Sequence, residues 1–508
     1  MTLAGSADWV RGFPGHPTIV LMEAFRLSNP RIELVLLLAA TAVSRFVFRS
    51  HYLYDIDSVN FALAMKRFDP RVHQPHPPGY FLYILAGRLL NGIAHDANAA
   101  LVAMSIAASC GAAVVVACLA SDWFGAGAGR FAGLLFLFSP LAWFHGTVAL
   151  TYIVETFFSA LVGYLLWRGK VYAGAVALGL AAGFRPSSLL FLGPLLLFAL
   201  RGLPRRRQVG SLAVLVATLL AWMLPMVAAS GGFHVWWSSL AALWTAVPGK
   251  ETVVNSSIAN SFARLLTIVL ICGLCFGCAA LLPLFTRSRL PPGIATFIWA
   301  WVLPGLLFFT FVFLKFVNSG YLLVLSPPVF AWLGLLAAGW WRSRKAMLTG
   351  PIAALCLAAN TAVFLFAPFY CSWASVRKFE RQLADVVATL PSAGAPGDTL
   401  IVGFDSHFMG YRHAGYYLPR YTTIEYPRMR IADGPRIFTM EHRDTSAARE
   451  IDSARFTRFV IFPLPDDKSS RDYMAGVDAK LGITGQAGKA FVTGPIGALN
   501  LLFPAGGR

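Results

Sequence analysis

The sequence predicts a mainly helical, polytopic membrane protein that carries a small C-terminal α+β domain. Of its 508 residues, 57% are hydrophobic and only 13% are charged, and the mean hydropathy is +0.63. This composition excludes an ordinary soluble protein. Apolar runs, many of them near the roughly 20 residues that cross a bilayer, recur as far as about residue 370. Beyond residue 372 the charge density rises and the apolar runs shorten to strand length.

The distribution of basic residues predicts the orientation of the chain. The net charge is +18, but the basic residues recur in short clusters between apolar runs and do not form one face, which argues against a nucleic-acid partner. With about eleven spans, the clusters share one side, which the positive-inside rule makes cytoplasmic. The expected spans are 32–48, 97–120, 131–149, 152–167, 171–184, 187–200, 210–229, 263–286, 293–314, 321–341 and 346–367. The clusters contain Arg130, Arg168 with Lys170, Arg201 with Arg205 to Arg207, Arg287 with Arg289, and Arg342 with Arg344 and Lys345.

The same pattern divides the chain. Residues 1–29 are expected to form a cytoplasmic or interfacial segment, and 30–370 a transmembrane domain with exoplasmic loops at 50–96 and 230–262. Residues 371–508 are expected to form the exoplasmic α+β domain. The expected location is a bacterial inner or plasma membrane, crossed many times, with the N-terminus in the cytoplasm.

One polar stretch, Tyr54 to Tyr80 (YDIDSVNFALAMKRFDPRVHQPHPPGY), follows the first span. Its carboxylates Asp55 and Asp57 are suited to act as a general base or to hold a divalent cation against a phosphate. The alternative is that Asp57 and Ser58 cap the next helix. His73 and His76 are too few for a zinc site, so contacts to substrate or to neighbouring side chains are expected of them. Ionisable groups beside a bilayer are costly, which favours a functional role for this stretch.

Other charged residues lie beside the membrane on the same expected side. Arg185, Arg264 and Lys315 run against the positive-inside trend, so an anionic lipid phosphate is expected to compensate them. Snorkelling, or pairing with Asp or Glu, is the alternative. Glu155 lies inside an apolar span and is a functional candidate, with a hydrogen bond to Tyr152 as the structural alternative.

Several of these segments together resemble the GT-C glycosyltransferases, and most of all the group of dolichyl-phosphate-mannose protein mannosyltransferases and aminoarabinose transferases. The strongest match is residues 55–92, with the D-I-D-S acids and the H-P-P-G-Y element. Weaker matches are TYIVETFFSALVGYLL, AAGFRPSSLLFLGPLLL and GYLLVLSPPVFAWLGLL. Together they cover roughly residues 30–370. Many relatives carry a different acidic pair, which leaves open whether Asp55 or Asp57 is the one that aligns.

The resemblance implies an enzyme that transfers a hexose or pentose from a polyprenyl-phosphate carrier to an exoplasmic glycan, lipid or protein. It implies that Asp57 or Asp55 is the catalytic base and that basic residues such as Arg185 hold the carrier phosphate. A single inverting displacement, without a covalent enzyme intermediate, follows from this chemistry. No cofactor is assigned, and the need for a divalent cation is left open.

Two other classes of function compete with this interpretation. A transporter or flippase would predict inverted repeats and broken polar helices near the bilayer midplane, whereas no repeat stands out here. A non-catalytic assembly subunit with the same fold is the second alternative. In the C-terminal domain, HFMGYRHAGYYLPRY (407–421) is predicted to be either a carbohydrate-stacking surface or the docking face onto the membrane part.

Overall fold

The computed structural model describes residues 29–246, 248–286, 288–343, 346–426, 429–431, 436–440, 448–463, 472, 475–476 and 492–498. Residues 1–28 of the expected N-terminal segment, and Arg287, Arg344 and Lys345 of the basic clusters, lie outside the described residues. The helices of the membrane part are α1 (Pro30–Val47), α2 (Ile56–Lys66), α3 (Phe81–Ala94), α4 (Ala97–Phe124), α5 (Ala126–Leu137), α6 (Pro140–His145), α7 (Tyr152–Trp167), α8 (Val171–Phe184), α9 (Ser187–Leu200), α10 (Arg205–Ala229), α11 (Phe233–Ala246), α12 (Pro248–Glu251), α13 (Ile258–Phe276), α14 (Leu282–Phe285), α15 (Pro292–Phe311), α16 (Ser326–Ser343) and α17 (Ala346–Phe366). Short 3-10 helices run over Pro70–Val72, Gly277–Leu281 and Phe316–Leu325.

The helical, multi-span architecture expected from the sequence is confirmed. Each expected span except 131–149 is largely helical, and six helical stretches among the described residues are long and apolar enough to cross a membrane. These six are Ala97–Phe124, Arg205–Ala229, Ile258–Phe285, Pro292–Phe311, Phe316–Arg342 and Thr349–Phe366. Helices α8 and α9 have only 14 residues each, roughly 21 Å at 1.5 Å per residue. Because this is less than the roughly 30 Å of a hydrocarbon core, the turn at Arg185 between them lies inside the bundle.

Two ion pairs join helix ends at one end of the bundle. Arg130 in α5 pairs with Glu33 at the start of α1 at 2.8 Å, and Arg168 after α7 pairs with Asp122 near the end of α4 at 2.5 Å. The Tyr54–Tyr80 stretch follows the opposite end of α1. The polar stretch and these two cluster arginines therefore lie at opposite ends, as the charge pattern predicted.

Helix α3 lies on the outside of the helical bundle. Its Leu89 and Ile93 are 70% and 81% exposed, which leaves an apolar face uncovered. Arg88 of this helix donates from Nε to the Met65 carbonyl at 2.8 Å and from Nη2 to the Ala64 carbonyl at 2.9 Å. Arg88 thereby satisfies carbonyls at the C-terminal end of α2, which have no partner within their own helix.

The C-terminal part begins with α18 (Trp373–Ala393), which continues through Pro391 and ends before Gly394. The strands are β1 (Thr399–Phe404), β2 (Thr422–Tyr426), β3 (Met429–Ile431), β4 (Arg436–Met440), β5 (Ala448–Asp452), β6 (Arg458–Ile461) and β7 (Val492–Pro495). One sheet has the order β2-β1-β6-β7, with β1 parallel to β2 and β6 and with β7 antiparallel. Helix α19 (Tyr411–Tyr417) links β1 to β2, and β3, β4 and β5 form a separate antiparallel sheet.

Candidate active site

The first loop presents its two carboxylates differently. Asp55 caps α2: its side chain accepts the Asp57 backbone N–H at 2.8 Å, and only 11% of that side chain is exposed. The N-cap is thus Asp55 and not the Asp57–Ser58 pair, because the Ser58 hydroxyl donates to the Ala149 carbonyl at 2.8 Å. The Asp57 carboxylate takes no part in capping and is 29% exposed.

Asp57 contacts His76 of the same loop. His76 Nδ1 lies 3.3 Å from Asp57 Oδ1, and His76 Nε2 is 2.9 Å from the Tyr80 hydroxyl. Burial lowers the pKa of His76, Asp57 opposes this effect, and the Arg185 charge reinforces it. The ring is therefore held neutral beside Asp57. His73, in a left-handed conformation after the 3-10 turn, has its ring 6.4 Å from that of His76.

Arg185 forms a buried cluster at the α8–α9 turn. Its side chain is 4% exposed, Nε lies 2.9 Å from Glu155 Oε2, and Nη1 donates to the Thr151 hydroxyl at 2.5 Å. The guanidinium carbon lies 4.2, 4.4 and 5.8 Å from the ring centroids of Tyr152, Tyr321 and Tyr80. Aromatic rings stabilise a desolvated cation electrostatically. This arrangement keeps a positive charge inside the bundle.

Glu155 is the counter-ion of that cation. Its side chain is fully buried, and its Oε1 atom accepts hydrogen bonds from Ser187 at 2.8 Å and Ser188 at 3.0 Å. The partners of Glu155 are thus Arg185 and two serines of α9, and not the Tyr152 hydroxyl weighed from the sequence. Arg185 thus pairs with an acid, Glu155, which is the alternative that the sequence analysis gave to a lipid phosphate.

Arg264 and Lys315 belong to a neighbouring group around Glu251. Arg264 is 4% exposed and donates to the carbonyls of Thr310 at 2.8 Å and Glu251 at 2.6 Å. Lys315 Nζ lies 2.9 Å from Glu251 Oε1, with 47% of the lysine side chain exposed. The Phe313 ring lies between this group and the Arg185 cluster: its centroid is 5.9 Å from Lys315 Nζ and 6.3 Å from that of Tyr321. Arg264 therefore holds loop backbone, while the Lys315 ammonium stays accessible.

A small cleft lies beside the Arg185 cluster. The polar residues that line it are Tyr54, Asp55, Asp57, His145, Tyr152, Asn318 and Tyr370. The cleft thus brings a partly exposed carboxylate near Tyr152, one of the aromatic rings that surround Arg185. The carboxylate can accept a proton, and the Arg185 cation behind the rings can stabilise negative charge.

The described residues do not fit the divalent cation considered from the sequence. In this part of the chain, no group of three or more His, Cys, Asp or Glu side chains is placed to hold a metal ion. Asp55 faces His407 and Asp57 faces His76, so each carboxylate has a histidine beside it.

The C-terminal part contributes directly to the loop. His407 Nδ1 lies 3.7 Å from Asp55 Oδ2, and the His407 carbonyl accepts the Ile56 N–H at 2.8 Å. Burial lowers the pKa of His407, but the hydrogen bond and charge of Asp55, with the charges of Asp57 and Asp405, raise it to about 9. Burial raises the pKa of Asp55, and His407 opposes that effect. His407 is thus a cation beside the cap of α2.

Neighbouring residues of the 407–421 segment fasten the same interface. Tyr417 accepts the Leu53 N–H at 2.8 Å, and Arg412 Nη2 donates to the Val72 carbonyl at 2.5 Å. The Phe408 ring centroid lies 4.8 Å from that of Tyr54. These contacts identify the segment as a docking face onto the membrane part, which was one of its two expected roles.

Sequence reasoning did not assign three groups to the site. They are His407, which was named only as part of the 407–421 segment, the buried His145, and the tyrosines that surround Arg185. His145 and two of the tyrosines lie in segments that the sequence marks as polar or aromatic within apolar surroundings, HGTVALTY and NSGY. That signal identifies the segments, but it does not reveal which side chains meet, because they come from distant parts of the chain.

Comparison with known proteins yields a fold. No protein-family model matches the sequence, and no curated protein sequence matches it. The structure is similar to two crystal structures of ArnT from Cupriavidus metallidurans. The apo state superimposes with a TM-score of 0.54 at 15% identity, and the complex with undecaprenyl phosphate with 0.55 at 14%. In both cases the match covers 94% of this chain and 99% of ArnT. The chain therefore has the fold of ArnT.

Proposed function

We propose that this chain is an integral-membrane glycosyltransferase that takes a sugar from a polyprenyl-phosphate carrier and passes it to an exoplasmic acceptor. The observation that carries the proposal is the cleft itself, which both Asp57 and Tyr152 line, with the Tyr152 ring packed on the Arg185 guanidinium. The fold likeness to a protein solved with undecaprenyl phosphate supports a carrier of that class. The exposed apolar surfaces of the helices support a membrane location.

Asp57 is the proposed base. Of the two acids it is the more exposed, and its carboxylate does not cap α2. An acceptor hydroxyl in the cleft transfers its proton to Asp57 while its oxygen attacks the anomeric carbon. The bond from that carbon to the phosphate oxygen breaks, and the carrier leaves as polyprenyl phosphate. A single displacement of this kind inverts the anomeric centre. Asp55, through its cap and its contact with His407, positions the backbone that carries Asp57.

The leaving phosphate needs positive charge. Arg185 offers a buried guanidinium whose charge Glu155 partly balances. Lys315 is half-exposed, and its pair with Glu251 is of a kind worth about 1 kcal/mol or less, so a phosphate can replace that partner. His76, with His73 behind it, is the proposed contact to the sugar or phosphate oxygens. Glu155 and Arg264 act on the substrate indirectly, by holding Arg185 and the loop that carries Glu251.

The test is transfer of a radiolabelled sugar from undecaprenyl-phosphate-linked hexoses and pentoses by membranes that contain the protein. Asp57→Asn is expected to lower the rate at least 100-fold, since a general base contributes about 10² to 10⁴. Asp55→Asn is expected to retain more activity, because Asn also caps helices. Asp122→Asn, at the other end of the bundle, is the control for loss of one acid.

The outcomes separate the competing explanations. Loss of activity in Asp55→Asn but not in Asp57→Asn would move the base to Asp55. Wild-type rates in both variants would refute the assignment of the base. A wild-type protein that transfers none of the sugars, while lipid crosses the bilayer in reconstituted vesicles, would favour a flippase. No transfer and no lipid movement would favour an assembly subunit.

A further inference from the structure

His145 is a buried imidazole in the cleft that the chemistry proposed above does not use. The residue is 1% exposed, and neither ring nitrogen has a hydrogen-bond partner among the described residues. Buried polar atoms are normally satisfied, and leaving them unpaired costs stability. A histidine with both nitrogens unpaired therefore calls for a partner that enters from outside the chain.

The fold holds this ring rigidly. His145 is the last residue of the short helix α6. Ser139 caps the start of this helix by accepting the Ala142 N–H. The turn after His145 is joined to the first loop, because the Ser50 N–H donates to the Thr147 carbonyl at 2.8 Å. The rings of Phe144 and Tyr152 each lie 4.9 Å from the imidazole centroid. The remaining side opens into the cleft that Asp55 and Asp57 also line.

A third surface confines the imidazole. An added Cβ at Gly320 would lie 2.8 Å from His145 Cε1, so the backbone of Gly320 packs directly against the ring. Aromatic rings and backbone thus surround His145 on the protein side, and none of them offers a hydrogen bond to it. The cleft is the direction from which a polar partner can arrive.

The charge of the surroundings indicates the kind of partner. His145 and the Arg185 guanidinium both pack on the ring of Tyr152, at 4.9 and 4.2 Å. A second positive charge against the same ring is unfavourable, so the imidazole is neutral, with one N–H donor and one lone pair. A hydroxyl both donates and accepts, so it can pair with either nitrogen, whereas a phosphate presents acceptors mainly.

We infer that His145 binds a sugar hydroxyl of the donor or of the acceptor in the cleft, an inference that rests on the proposed glycosyltransferase function. The hydroxyl pairs with one of the two imidazole nitrogens that have no partner among the described residues, and so sets the sugar relative to Asp57. His145 is then a residue of substrate recognition, and no proton transfer is assigned to it.

Stability of the purified, unliganded protein gives the first readout. His145→Phe removes two unpaired nitrogens and retains a ring of similar size, so its thermal midpoint is expected to equal or exceed that of the wild type. A His145→Phe midpoint several degrees lower would show that the imidazole already has a structural partner, and would overturn the inference.

Binding gives the second readout, measured with undecaprenyl phosphate alone and with its mannose and arabinose conjugates. For a donor sugar, His145→Ala is expected to weaken binding of a conjugate about tenfold, with undecaprenyl phosphate unaffected and His145→Asn intermediate. For an acceptor sugar, binding of all three lipids is unchanged, and the acceptor KM in the transfer assay rises by a similar factor.

The remaining outcomes contradict either this inference or the proposed function. Equal weakening for undecaprenyl phosphate and both conjugates would indicate a phosphate contact. If His145→Ala changed neither lipid binding nor acceptor KM, no sugar hydroxyl would depend on this ring. A wild-type protein that binds a conjugate through His145 but never transfers its sugar would refute the glycosyltransferase proposal and leave His145 as a sugar contact.

Discussion

The contact between His407 and Asp55 predicts that the C-terminal part docks more weakly at high pH. His407→Gln removes the cation that lies 3.7 Å from the Asp55 carboxylate. The pKa of His407 is about 9 in the folded protein, against an ordinary value of 6.5. Because the folded value is the higher one, the stabilisation is fully present below pH 6.5 and is lost as the pH rises through 9.

The magnitude follows from that shift and from solvent exposure. A shift from 6.5 to about 9 corresponds to roughly 3 kcal/mol at 1.36 kcal/mol per pKa unit. The His407 side chain is 48% exposed, however, so water and salt screen the pair. A contribution of about 1 kcal/mol is therefore expected, and it should diminish further at high salt.

The assay compares thermal midpoints of wild type and His407→Gln between pH 6 and pH 10 in detergent. The variant should melt roughly 2 °C or less below wild type at pH 6, and the difference should vanish above about pH 9. His234→Gln, an exposed histidine on α11, is the matched control. A difference between wild type and His407→Gln that stays constant over this range, or grows with pH, would refute the reasoning.

Two further predictions concern buried arginines. Glu155→Gln and Arg185→Met should each destabilise the protein by about 3–5 kcal/mol, because each leaves one charge of a buried ion pair without its partner. The double variant should lose less than the sum, and additive losses in thermal or denaturant unfolding would show that the pair is not coupled. Arg412→Met should cost about 1.5–3 kcal/mol through its hydrogen bond to the Val72 carbonyl and should speed proteolysis of the C-terminal part. Arg420→Met, at an exposed position, is the control and should change neither stability nor the rate of proteolysis. Equal effects of the two variants would contradict the docking role.

Much of the fold could be predicted from local pattern. Apolar runs of bilayer length became helices, and two of the strand-length runs beyond residue 372 became the parallel strands β1 and β2. Boundaries were harder where a helix is interrupted. The expected span 131–149 breaks after Leu137, because Ser139 and Pro140 begin a new short helix that ends at His145. Proline cannot donate to the preceding turn, which explains the break.

The sequence predicted which residues belong to the site better than it predicted which of them contact each other. Asp57, His76, Arg185 and Glu155 were all chosen because charged or polar groups in apolar surroundings are costly unless they have partners. Which partner each one has depends on helices that are far apart in the sequence. Tyr152 was the alternative partner considered for Glu155, which instead pairs with Arg185 because the α8–α9 hairpin returns that arginine into the bundle.

The sequence by itself determined that this is a membrane protein, where its apolar helices lie, and which polar stretch follows the first span. Those properties depend on composition and on short-range periodicity, which any local segment carries. Tertiary structure alone decided that Asp55 caps α2 while Asp57 faces the cleft, that His407 reaches Asp55, and that His145 is left unpaired. Each of these results depends on the packing of residues far apart in the chain, and no local pattern encodes that packing.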